Sequence, residues 1–147
     1  MHILQSIPYL RVRDVARSLA FYVDGLGFEL KDSATAEDGL FWASLSLDAC
    51  HLMLSHRPSR FLGDGHDDDD HEHDEQRRHV FNVQSAQNGE LNFVTYLYVD
   101  DAGATYAELR ARGIEPLDAP QDKFYGVREF LICDPDGYYY AIAQRLA

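Results

Sequence analysis

Disulfide chemistry is nearly absent from this chain. It has only 2 cysteines, Cys50 and Cys133, in 147 residues, too few for a covalent framework. Both fall in apolar stretches and read as buried thiols. No apolar run approaches the ~20 residues that cross a bilayer as a helix, so a membrane partner is not expected. The opening residues, MHILQSIPYLRVRD, contain no apolar block of the secretory kind, which points to a cytoplasmic protein. Basic residues are scarce, 13 Lys and Arg against 25 Asp and Glu, giving a net charge of −12 that argues against nucleic acid as a partner. That deficit is local, because 8 of the 25 acids lie in DGHDDDDHEHDE, residues 64–75, and setting them aside leaves −4. The hydrophobic share of 46% is enough for a core, and the length fits one domain spanning residues 1–147.

An internal repeat organises the rest. YLRVRDVARSLAFYVDGLGFE from Tyr9 aligns with YLYVDDAGATYAELRARGIE from Tyr96 at an offset of 87. Tyr9 meets Tyr96, Val12 meets Val99 and Asp14 meets Asp101. With one residue deleted, Gly27 meets Gly113. Each copy begins with a period-2 strand and reaches an acidic helix N-cap, Asp14 or Asp100/Asp101. Amphipathic helices follow, with Val15, Leu19, Tyr22 and Leu26 on one stripe and Ala102, Tyr106 and Leu109 on the other. Each helix is expected to end at a glycine, Gly25 or Gly27 and then Gly113. A strand is expected after each, in GFELKD and in GIEPLD. Two further strands complete each copy. GLFWASLSL and CHLMLS flank Asp48-Ala49, and VREFLIC and YYYAIAQ flank the turn sequence Asp134-Pro135-Asp136-Gly137.

The fold class is therefore α+β, with two βαβββ modules over residues 3–56 and 92–147. Residues 57–91 form a linker between them. Its acid–His run, with His66, His71 and His73, reads as a solvated flexible loop rather than a metal site, since like charges repel and ordering costs entropy.

The DVARSLAFY-x-x-x-LGF segment of the first copy and the REF-x-x-x-DPDG-Y arrangement at Arg128–Tyr138 resemble the vicinal oxygen chelate superfamily. Within it, the chain is most similar to the glyoxalase/bleomycin resistance proteins. The resemblance covers both copies and leaves out the linker. It implies curled mixed sheets around a cavity, commonly in a homodimer. It also implies, for metal-dependent members, one divalent ion held by His and Glu side chains from four strands. Carried over by position, those ligands fall at Ile7, Met53, Val94 and Ala141. None offers a hard oxygen or nitrogen donor. No cofactor and no catalytic residue is therefore expected.

Strand alternation, with the resemblance, assigns a small-molecule cleft instead. Its expected ligand-binding residues are Tyr9, Trp42, His51, Met53, Tyr96, Tyr98, Phe124, Tyr125, Arg128 and Tyr139. Aromatic faces of this kind suit flat or cationic ligands. Arg128 is either a cavity cation or the partner of a local acid such as Glu129 or Asp134. His51 is either a general base or a hydrogen-bonded strand histidine. The function expected is metal-independent binding of an aromatic or cationic, antibiotic-like molecule. The alternative is a metal-dependent lyase or dioxygenase of the superfamily with an atypical ligand set.

Overall fold

The structure, a computed structural model, describes residues 1–56 and 93–147. The expectations for the linker and its acid–His run lie outside the described residues. The chain divides into two compact units, Met1–His66 and Asp67–Ala147. No helix among the described residues is long and apolar enough to cross a membrane.

The first unit runs β1 (Tyr9–Arg11), α1 (Val15–Leu19, widening into a π-helical turn over Ala20–Gly25), β2 (Glu29–Ala36), β3 (Gly39–Leu47) and β4 (Cys50–Ser55). The second runs β5 (Thr95–Tyr98), α2 (Ala102–Ala111), β6 (Gln121–Lys123), β7 (Val127–Cys133) and β8 (Tyr139–Arg145). Each unit holds one 4-stranded mixed sheet, ordered β1-β4-β3-β2 and β5-β8-β7-β6. In each, the first strand pairs in parallel with the last and the other pairings are antiparallel. The βαβββ repeat read from the sequence is thus a repeat of topology.

The repeat extends to single hydrogen bonds. Asp14 Oδ1 accepts from the Arg17 amide at 3.1 Å, and Asp101 Oδ1 accepts from the Ala104 amide at 2.9 Å. The Ser18 hydroxyl donates to the Asp14 carbonyl and the Thr105 hydroxyl to the Asp101 carbonyl. The amides of Val12 and Val99 reach the carbonyls of Ser55 and Ala143, both at 2.9 Å. The N-cap of the second helix is Asp101, not Asp100. Each side-chain cap satisfies an amide that the first helical turn leaves open.

The two helices differ by one residue between cap and exit, and the structure shows where it goes. Over Ala20–Gly25 the first helix opens into wider turns, with the Leu26 amide donating to the Phe21 carbonyl at 2.9 Å. An inserted residue is commonly absorbed as such a π-bulge. Both helices then stop at a glycine with positive φ, Gly27 at 88° and Gly113 at 85°. Gly27, not Gly25, is therefore the left-handed exit residue of the first helix.

Each helix covers one face of its own sheet. Helix α1 packs on β3 and β4, over a layer of Leu52, Leu54, Ala43 and Leu45 that is almost wholly buried. Val15 and Tyr22 are fully buried with it. Helix α2 packs on β7 and β8, where the Tyr106 ring meets Phe130 edge-on at 5.3 Å. Removing a leucine such as Leu45 or Leu54 from water contributes about 1.5–3 kcal/mol per side chain.

Two expectations are corrected. Cys50 is exposed and Cys133 half-buried. Cys50 opens β4 just after the Asp48-Ala49 turn, where Asp48 takes φ 49°, so the hairpin end carries it to the surface. GIEPLD is not a strand, and the strand after α2 starts only at Gln121. Pro116 has no amide to give to a ladder. Instead the Leu117 amide donates to the Leu131 carbonyl at 2.8 Å, and the Asp118 carboxylate accepts from the Leu131 amide at 2.7 Å. A side-chain oxygen stands where a strand carbonyl is expected.

Candidate functional site

Register decides which side chains share a face, because directly paired residues project to the same side. In the first sheet Tyr9 pairs with Met53 and Arg11 with Ser55. Trp42 pairs with Ser55, Ser44 with Met53 and Ser46 with His51. These residues lie on the face away from α1, since Leu52, Leu54, Ala43 and Leu45 occupy the other. Tyr9, Trp42, His51 and Met53 are thus brought onto one face, with Tyr9 38% exposed. His51 is exposed and Met53 half-buried.

In the second sheet Tyr96 pairs with Ala141 and Tyr98 with Ala143. On the far side of β8, Leu131 pairs with Ala141, Glu129 with Ala143 and Cys133 with Tyr139. These share the face away from α2, since Phe130 and Ile132 occupy the other. The Tyr96 and Tyr98 rings stack at 6.1 Å and 29°. The Arg145 guanidinium lies 4.7 Å from the centre of the Tyr98 ring, within cation–π range. The alanines at 141 and 143, both fully buried, form the floor between these rings and β7.

Glu129 stands at the edge of that floor. It is only 7% exposed. The Tyr125 hydroxyl donates to its Oε1 at 2.6 Å, while its buried Oε2 has no hydrogen-bond partner among the described residues. The bond to Glu129 pushes the Tyr125 phenol far above its ordinary range, with burial and the carboxylate charge adding to it. Burial raises the Tyr96 phenol as well, and the Glu129 charge and a polar contact of the phenol with Glu129 add to that, while a contact with Tyr125 acts in the opposite direction. Tyr96, Tyr125 and Glu129 therefore form one polar group at the aromatic face.

Of the expected residues in this unit, Tyr96, Tyr98 and Tyr139 lie on the one face, and Tyr125 closes over Glu129. Phe124 is the fully exposed tip of the β6–β7 turn, with its ring 5.0 Å edge-on to Tyr125. Arg128 is set apart. It pairs with Gln144 on the face that α2 covers. There it makes a bidentate contact with Asp122, at 2.6 and 3.1 Å, rather than with Glu129 or Asp134. The guanidinium holds the Asp122 carboxyl below the usual range. Asp134 is occupied in the turn, where its Oδ1 accepts from the amides of Asp136 and Tyr138.

Glu129 is the residue that sequence reasoning missed. An acid in phase with Leu131 and opposite a small residue was the available signal.

Two βαβββ modules, each a four-stranded mixed sheet with a helix on one face, define the class of fold. The family model for the Glyoxalase/Bleomycin resistance protein/Dioxygenase superfamily matches residues 2–142, and the chain belongs to that family. No curated protein matches the sequence. Among solved structures the chain is similar to UcmS2, at 20% identity and TM-score 0.70, covering 97% of this chain and 98% of that one. It is similar to TioX from Micromonospora sp. ML1, at 18% identity and TM-score 0.67, covering 95% and 97% of the two chains. It is also similar to TnmS3, an antibiotic binding protein from Streptomyces sp. CB03234, at 20% identity and TM-score 0.62, covering 98% and 99%. At these identities the likeness speaks for the fold.

The superfamily's metal enzymes set the test for an ion. Met53 and Ala141 sit in register with Tyr9 and Tyr96 on the faces away from the helices, and Ile7 and Val94 precede β1 and β5. An isoleucine, a methionine, a valine and an alanine supply one thioether and no hard donor. The donor set at these positions does not fit a divalent ion that polarises substrate oxygens.

Proposed function

We propose that the protein binds a small aromatic or cationic, antibiotic-like molecule and holds it without metal and without chemistry. The observation that carries this reading is the stacked pair Tyr96–Tyr98, 45% and 54% exposed on a sheet face floored by alanines. Large aromatic rings left partly in water on a shaped face are what a flat ligand covers. Taken by itself, the first sheet carries an aromatic face of the same kind, with Tyr9 and Trp42. The absence of hard donors at the carried-over ligand positions supports capture over turnover. TnmS3, which shares the fold, is described as an antibiotic binding protein. A homodimer located in the cytoplasm completes the reading, on the family resemblance.

Titration calorimetry against bleomycin and a panel of aromatic cations tests it, on protein stripped with a chelator. The expected result is saturable binding of at least one ligand, unchanged by chelator, with the ligand recovered intact by mass spectrometry. Flat traces throughout, or conversion of a ligand that needs an added divalent ion, overturn it.

A further inference from the structure

We propose that Glu129 is the recognition point for a protonated amine on the ligand, with Tyr96 and Tyr125 framing it. The inference rests on the binding reading above and gives it a ligand chemistry. A buried carboxylate oxygen without a donor costs free energy that a hydrogen-bonded partner returns. Oε2 of Glu129 is such an atom: it is buried, and no described residue donates to it. Its sister oxygen is already engaged by Tyr125 at 2.6 Å, which fixes the carboxylate plane and leaves one acceptor for a newcomer.

The surroundings favour a cationic newcomer over a neutral one. Glu129 pairs across the ladder with Ala143, and Ala143 pairs in turn with Tyr98, so the carboxylate and that phenol ring flank one buried alanine on the same face. An ammonium that reaches Oε2 meets the carboxylate and the neighbouring phenol rings, and both attract positive charge. Arg145 is placed over the Tyr98 ring, so that ring is already supplied with a cation while Oε2 is not. An aromatic ring attached to the ammonium then extends along the Tyr96–Tyr98 stack.

The experiment compares two probes of one shape, naphthylmethylammonium and naphthylmethanol, by calorimetry at neutral pH. The wild-type protein is expected to prefer the ammonium by on the order of tenfold, the scale of one hydrogen bond to a charged group. Glu129→Gln is expected to lose the preference and bind both probes equally. Tyr125→Phe keeps the carboxylate and releases Oε1, so it is expected to keep the ammonium preference, and it serves if the glutamine variant does not fold. Equal binding of both probes to wild type overturns the proposal and leaves the binding reading standing. A preference that survives in Glu129→Gln also overturns it. Binding of neither probe overturns the proposal, and flat traces with bleomycin and the aromatic cations as well then remove the binding reading too.

Discussion

Tyr125 sits in the β6–β7 turn, four residues before Glu129 on β7, and its phenol donates to the carboxylate at 2.6 Å. The contact joins the β6–β7 turn to the middle of a sheet face. It makes a loop residue, Tyr125, part of a strand-borne polar group.

That bond predicts a pH dependence. The folded state raises the Tyr125 phenol above its value in the unfolded chain. A raised folded value means the stabilisation is fully present below the unfolded phenol value of about 10. It is lost as pH rises through the higher folded value. Denaturant midpoints measured from pH 8 upward should therefore fall more steeply in wild type than in Tyr125→Phe above about pH 10. Parallel curves would refute the contact.

Aromatic anchors should carry the ligand affinity. For any ligand that calorimetry identifies, Tyr96→Ala or Tyr98→Ala is expected to weaken binding by about 1–3 kcal/mol. Arg128→Ala should leave that affinity unchanged, because Arg128 is engaged with Asp122 on the helix-covered side. An Arg128 variant that loses binding as the tyrosine variants do would contradict the assignment of faces.

The paired helix caps should cost alike. Asp14→Ala and Asp101→Ala each remove a side-chain acceptor for an amide of the first helical turn. Each is expected to lower unfolding free energy by about 0.5–2 kcal/mol in urea titration. A null effect at either position would mean that water replaces the carboxylate there without loss.

Gly113 offers a cleaner backbone test. A methyl group at this residue would meet no atom within 4 Å, yet φ is +85°. Gly113→Ala is therefore expected to destabilise by about 1–2 kcal/mol through the left-handed backbone alone. Thermal melts read the change directly, and a melting temperature equal to that of wild type would mean that the helix exit has rearranged.

Much of the fold was legible because it is written in local pattern. Asp14 and Asp101 precede apolar stripes at helical spacing, and the turn sequences between strands set the hairpins. The topological repeat then follows from the order of those pieces. What the sequence hid depends on partners distant along the chain. Arg128 and Glu129 are neighbours, so alternation puts them on opposite faces, but alternation alone does not say which face a helix covers. Phe130 against Tyr106 settles that, and it turns Arg128 away while bringing Glu129 to the aromatic side. The late start of β6 was hidden for a similar reason. Pro116 breaks the strand pattern, and the Asp118 side chain repairs the gap through a contact with Leu131.

The widened segment at Ala20–Gly25 works as a length adapter. It stores the surplus residue while the cap at Asp14 and the exit at Gly27 keep the geometry of their counterparts at Asp101 and Gly113. Shortening the segment by one residue should restore ordinary winding and give the two helices the same length between cap and exit. It also concentrates any later change in helix length at a single spot, leaving both strand registers undisturbed.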